Sequence, residues 1–345
     1  MTERPTTDVP AGGGWPPQFQ QAGATRREWD HLRRLAAVAG LDHERLIIPS
    51  HGYADVGGLS LHYVQWPGPE PGPEPGPGAG DLLFLHGGAL QARTWDAVCM
   101  FLRDTYRCTA LDLRGHGDSD WSPDHDYDLA THAADVARFI GQRGLDRVTL
   151  IGHSLGGLTS ILVAATQASR ATQASPAMRA DVAGLVLVDM LPSANRQATG
   201  RVRDFIRSRQ EFGSADELLD HVLQFAPRRR QDLLAGSLMH NIQVRADGTL
   251  AWKYDPSHFS TDPVETHGDA LWASIAEITC PILLVRGGRS RVVTSESAER
   301  LLTQARHARV RSIERAGHTV QGDAPGELAA AIREFTDDDD WQARP

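Results

Sequence analysis

"VTLIGHSLGGLTSILVAATQ", residues 148–167, decides how the rest of this chain is read. Four apolar or β-branched residues, Val148 to Ile151, form a short strand-like run, and the stretch from Leu155 onward has the composition of a helix. Between them lies Gly152-His153-Ser154-Leu155-Gly156, a G-x-S-x-G. A serine on a tight strand-to-helix turn projects its hydroxyl while its backbone is strained. The flanking glycines remove Cβ atoms that would clash there. The helix start also leaves the N–H groups after the serine free and positively polarised.

Outward from this turn, strand and helix alternate. Strand-like runs fall at 46–48, 59–66, 82–85, 108–113, 148–151, 184–188, 282–285 and 309–313, with helical patterns at 129–144 and 325–335. Such alternation predicts βαβ units, hence an α/β protein with a mostly parallel, doubly wound sheet. Between Val188 and Ile282 the strands stop, and helical runs at 201–212, 214–226 and 228–242 take their place. An inserted helical block above the carboxyl ends of strands is the position of a lid; a packing subdomain without a gating role is the bland alternative. The expected division is an N-terminal extension at 1–44 with one helix at 26–39, a main α/β domain at 45–335 carrying the inserted helical block at 191–272, and an acidic tail at 336–345. The Pro-Gly-Glu stretch at 67–80 reads as a surface loop without packing capacity. The repeated "ATQAS" within 165–175 reads as a lengthened loop.

Composition excludes several function classes. Of 345 residues, 41% are hydrophobic and 23% charged, as in ordinary globular proteins. A net charge of -9 gives no electrostatic footprint for nucleic acid or anionic membrane. No apolar run reaches the roughly 18 residues of a membrane span, and the amino terminus lacks the apolar core of a secretory signal. Cys99, Cys108 and Cys280 are too scattered for a disulfide framework or a metal site, so a reducing cytoplasm is the expected setting. No histidine–acid cluster has metal-ligand spacing and no G-x-G-x-x-G follows a strand, so neither a metal nor a nucleotide cofactor is expected. The expected partner is a small-molecule substrate; oligomeric state is not encoded legibly.

Four segments in order carry a resemblance. The G-x-S-x-G is joined by "LFLHGGAL" at 83–90, "LDLRGHGDSD" at 111–120 and "AGHTVQGDAP" at 316–325. Over about residues 45–335 the chain resembles the α/β-hydrolase superfamily. The resemblance implies that Ser154 is the nucleophile and His318 its general base. The backbone N–H groups of Gly88 and Leu155 are implied as the oxyanion donors. Independently of the name, a serine hydroxyl needs a neighbour to accept its proton, and histidine titrates near the working pH. With 15 histidines present, position matters: His318 follows the last strand-like run in a glycine-containing loop. His86, His116 and His153 read as structural turn residues.

The third member of such a triad is an acid, and here the sequence departs from the pattern of the family it resembles. "LLVRGGRSRVV", 283–293, matches the strand and loop that usually carry an Asp, yet Ser290 and Arg291 stand where that Asp is expected. Arg291 is no substitute, since a cation about 4 Å from an imidazolium costs roughly 4 kcal/mol at an effective dielectric of 20. Asp189, closing "AGLVLVDM" at 183–190, lies between serine and histidine in chain order and is one candidate. A carboxylate from elsewhere, or no acid, are the others.

The expected activity is a serine hydrolase that cleaves an apolar or uncharged ester, lactone, thioester or related carbonyl compound through an acyl-enzyme. Two alternatives remain: a ligand-binding protein with weakened catalysis, and a carbon–carbon bond hydrolase or lyase using the same site.

Overall fold

The computed structural model describes residues 24–42, 46–68, 80–169, 181–225, 238–259 and 263–338. The loop at 69–79, most of the repeated segment, the first 23 residues and the end of the tail lie outside the described residues.

Eight strands form the central sheet: β1 (Ser50–Val56), β2 (Leu59–Trp66), β3 (Asp81–Leu85), β4 (Arg107–Leu111), β5 (Val148–His153), β6 (Val182–Val188), β10 (Ile282–Gly287) and β11 (Ala308–Ile313). Their spatial order is β1-β2-β4-β3-β5-β6-β10-β11. The first two pair antiparallel, and β2 is also antiparallel to β4; the rest are parallel. β3 and β5 are buried along their whole length, as continuous apolar runs in a two-sided sheet require. The run at 46–48 forms no strand. Pro49 follows it and removes a ladder donor, so Ile47 and Ile48 pack against the core as an extended approach to β1.

Helices cover both faces. α1 (Ala24–Ala39) and α2 (Asp96–Leu102) lie on one side with α10 (Pro325–Thr336), and α1 buries Leu32 and Ala36 there. α3 (Leu129–Arg143) and α4 (Leu155–Ser169) cover the other. α3 starts on the Asp128 side chain, which accepts the Ala130 N–H, and stops at Gly144 in the left-handed conformation.

The inserted segment holds α5 (Arg196–Arg207), α6 (Ala215–Phe225) and a small antiparallel sheet of β7 (Glu211–Phe212), β8 (Ile242–Val244) and β9 (Leu250–Trp252), in the order β7-β9-β8. The helical pattern at 201–212 therefore ends earlier, with Glu211 and Phe212 extended. The pattern at 228–242 is described only from residue 238, as a helical turn leading into β8. This segment has its own apolar core of Ile206, Phe212, Leu218, Val222, Trp252, Tyr254 and Phe259, resting on Ala89 of the sheet loop. α7 (Pro263–Glu277), unmarked in the sequence pattern, straddles residue 272 and buries Leu271, Trp272 and Ile275 with the body of the domain. α8 (Ser295–Gln304) follows β10, and a short α9 (Val320–Asp323) precedes α10. Among the described residues no helix is long and apolar enough to cross a membrane.

Candidate active site

β5 delivers Ser154. The residue sits at φ 51°, in the left-handed region that non-glycine residues avoid, and is held there by close backbone packing. A Cβ on Gly152 would lie 2.4 Å from the Gly156 carbonyl oxygen, and one on Gly156 would lie 2.3 Å from that of Leu85. Both glycines of the motif are thus required by contact. A Cβ on Gly87 would come within 2.6 Å of His153 Nδ1 and 3.1 Å of Ser154 Cβ, which seats the 86–89 loop directly against the serine corner.

β6 delivers Asp189 one strand away. His153 and Val188 are register partners, so Ser154 and Asp189 leave the sheet at the same level. Asp189 also adopts a left-handed conformation, φ 50°, and is fully buried. Its carboxylate has three donors. His318 Nδ1 lies 2.8 Å from Oδ2, the Gly287 N–H donates to Oδ1 at 3.0 Å, and the Ser290 hydroxyl donates to Oδ2. The β10 loop, which lacks an acid, supplies hydrogen-bond donors to one instead. Arg289 and Arg291 point outward and are exposed.

His318 arrives on the loop after β11. That loop is close-packed against β10, since a Cβ on Gly287 would lie 2.1 Å from the Gly317 carbonyl oxygen. The backbone carbonyl of His318 accepts from His153 Nε2 at 3.0 Å, and the two imidazoles pack with centroids 4.7 Å apart. The expected serine–imidazole hydrogen bond is not made: among the described residues the Ser154 hydroxyl and His318 Nε2 are not hydrogen-bonded. Unbound hydrolytic sites often hold this pair loosely. The N–H groups of Gly88 and Leu155 likewise have no hydrogen-bond partner among the described residues. Two donors beside a serine, unspent on the fold, suit a developing oxyanion.

The other histidines of the motifs are structural. His86 Nδ1 pairs with the Gly87 carbonyl and its Nε2 accepts the Leu113 N–H. His116 is fully buried, and desolvation, helped by the nearby His86, pushes it down to about 3, so it stays neutral. Asp112, also buried, accepts from the Ala92 and Asp118 N–H groups and pairs with His62 Nδ1 at 2.7 Å. Although burial opposes its charge, these partners, His62 foremost, hold it at about 2. The three cysteines are free thiols, and burial pushes Cys280 up to about 12.

Sequence spacing gave no metal-type cluster, yet among the described residues the fold assembles two, His31–Asp96–His240 and His62–Asp112–Asp118, with ligand atoms within 4.8 Å of one another. Each already holds a cation. Arg93 Nε lies 2.7 Å from Asp96, and Lys253 Nζ 2.6 Å from Asp118. Both are ion-pair networks that fasten α1 and the inserted segment to the body.

The profile of the alpha/beta hydrolase family matches residues 82–331. The chain belongs to the α/β-hydrolase family. Among curated proteins, this α/β-hydrolase is 34% identical to the esterase Rv0045c of Mycobacterium tuberculosis over 312 residues, 87% of this chain and 97% of that one. A crystal structure of that esterase superposes with a TM-score of 0.68, covering 90% of this chain and 98% of the other at 30% identity. An α/β-hydrolase of Novosphingobium aromaticivorans shares the fold, with a TM-score of 0.67 at 22% identity over 84% of this chain and 99% of that one. The protein is accordingly an esterase-like α/β-fold hydrolase, which a small-molecule substrate fits.

Proposed function

We propose that this α/β-hydrolase cleaves uncharged esters through an acyl-enzyme, with Ser154 as nucleophile, His318 as general base and Asp189 as its acid partner. The observation that carries the reading is the 2.8 Å contact of His318 Nδ1 with the buried Asp189 carboxylate, beside a serine on a left-handed corner. Asp189 fixes the tautomer that leaves His318 Nε2 free to accept a proton. As Ser154 Oγ bonds to the substrate carbonyl carbon, its proton passes to His318 Nε2, and the carbonyl electrons move to oxygen opposite the Gly88 and Leu155 N–H groups. When the carbon–oxygen bond to the leaving alcohol breaks, His318 returns the proton to that alcohol. Water repeats the sequence on the acyl-enzyme, giving the acid and restoring Ser154. The inserted segment acts as the lid, its Phe259 ring lying over Gly88, where a Cβ would meet it at 2.8 Å.

The test is labelling with a fluorophosphonate probe together with hydrolysis of p-nitrophenyl butyrate. Both signals are expected in the native protein and neither in Ser154→Ala. Hydrolysis that survives Ser154→Ala overturns the assignment. Binding of esters without turnover or labelling would favour the ligand-binding alternative.

A further inference from the structure

A cavity of about 200 Å³ opens beside Leu155, the residue after Ser154. Its far wall carries His258, whose neighbour Phe259 lies over Gly88. The cavity therefore borders the residue that follows Ser154 and the residue that precedes Phe259.

The wall chemistry is unusual for a hydrolase of apolar esters. Asp126, Asp128, Ser257, His258 and His267 line it beside the apolar Leu129, Leu155 and Pro263, with His125 at the exposed mouth. Each charged or basic group is already engaged. Asp126 accepts the Asp128 N–H and the Thr131 hydroxyl, and Asp128 accepts the Ala130 N–H and faces His267 Nε2 at 2.9 Å. His125 Nδ1 meets the Ser257 hydroxyl at 2.9 Å and Asp255 at 3.3 Å. His258 Nε2 pairs with His132 Nε2 at 2.8 Å; burial, then the neighbouring His116 and His132, push His258 well below its usual value, so it is neutral.

Two carboxylates at the wall oppose an anionic group, and every basic group there is an imidazole committed to a carboxylate or to another imidazole. These groups already have partners, but the carboxylates and the Ser257 hydroxyl keep lone pairs that a further donor can use. A hydroxyl fits, because it donates to the remaining lone pairs of a carboxylate or of the Ser257 hydroxyl. We infer that the cavity is a substrate subsite for a small, uncharged, hydroxyl-bearing group attached close to the ester carbonyl. His267 and Ser257 are its positioning residues. The inference names the substrate class of the serine site and rests on that reading.

Two ester pairs test it and tell the two sides of the carbonyl apart. 2,3-Dihydroxypropyl butyrate against propyl butyrate places the hydroxyls on the alcohol; ethyl 3-hydroxybutyrate against ethyl butyrate places one on the acyl group. One hydroxylated member is expected to exceed its parent about tenfold in kcat/KM, and the pair that gains assigns the side. The ratio should fall towards one in His267→Leu and in Ser257→Ala, and His267→Gln, which keeps a donor, should restore part of it. Ratios near one for both native pairs, a ratio unmoved by both variants, or preference for butyrylcholine over propyl butyrate each overturn the subsite while Ser154-dependent hydrolysis stands. If hydrolysis does not depend on Ser154, the mechanism fails first, and saturation-transfer NMR on Ser154→Ala then decides the subsite. Roughly tenfold tighter binding of the hydroxylated ester supports it; equal binding removes it.

Discussion

The Ser290 hydroxyl donates to the Asp189 carboxylate across 101 positions of sequence, joining the loop after β10 to the end of β6. The β10 loop, though empty of acids, still serves the acid site. Replacing Asp189 by Asn should lower turnover on p-nitrophenyl butyrate by about two to four decades with little change in KM, given the roughly 10⁴ effect in the worked serine-protease template. Near-native turnover in Asp189→Asn would remove it from the mechanism.

Ser290 gives a sharper discrimination. Losing one hydrogen bond to a charged group is worth roughly 1.5–3 kcal/mol, so Ser290→Ala should cost one to two decades in kcat/KM. Ser290→Asp restores the family's usual residue yet sets a second carboxylate against Asp189, and like charges at contact cannot both stay ionised comfortably. It should therefore be less active than Ser290→Ala at neutral pH. Activity above native in Ser290→Asp would show that Asp189 does not fill the role.

Gly88 and Phe259 form a testable couple. An alanine at 88 puts a Cβ 2.8 Å from Phe259 Cε1, closer than real Cβ contacts. Gly88→Ala should lower both melting temperature and activity, and Phe259→Ala should relieve much of the stability loss in the double variant. Additive losses, measured by urea unfolding of all four proteins, would show that the ring moves away freely.

Stability should fall on mild acidification. His116 is held at about 3 in the fold, against an ordinary value near 6.5, by desolvation first and by His86 second. Its folded value lies below the unfolded one, so its contribution is complete above about pH 6.5 and is lost as pH falls towards 3. Burial shifts His132 and His258 the same way. Each proton bound only by the unfolded chain adds about 1.4 kcal/mol per pH unit to the slope. Melting temperature should drop between pH 7 and pH 5, and His116→Asn should flatten that slope. An unchanged slope refutes the assignment.

The Arg114–Asp135 pair is bidentate and buried, at 2.6 and 2.9 Å, and Arg114 also donates to the Asp126 carbonyl at 2.9 Å. Arg114→Ala leaves the buried carboxylate with only the Arg138 guanidinium 3.7 Å away, and losses from breaking a buried pair run up to about 3–5 kcal/mol, of which Arg138 should offset part. Denaturant unfolding should show a loss of this size, while Arg114→Ala with Asp135→Ala should recover part of it.

The sheet and the Ser154 corner were legible because their signals are local: apolar runs of strand length and glycines where backbone crosses backbone. Asp189 was visible only as a candidate, since its partners Ser290 and His318 lie 101 and 129 positions away. Ser290 itself was read only as a missing acid; an isolated serine between two arginines carries no pattern that announces a donor. The strand at 46–48 was misread because apolarity outweighed Pro49, and α7 was missed because its buried Leu271, Trp272 and Ile275 lie among polar residues of ordinary loop composition. The cavity draws on the loop around residue 125, the turn around 257 and the first turns of α7 around 267, which only the tertiary fold brings together.

Pairing of His153 with Val188 places two left-handed corners side by side. Neither corner is favourable alone, so neither pre-exists in an unfolded chain, and each depends on the zipped sheet beneath it. On the proposed mechanism, the ability to hydrolyse is a property of the finished sheet: it should appear in the last phase of refolding, with closure of β10 and β11 onto β6. A chain cut anywhere between Ser154 and His318 should regain it only when both pieces reassemble.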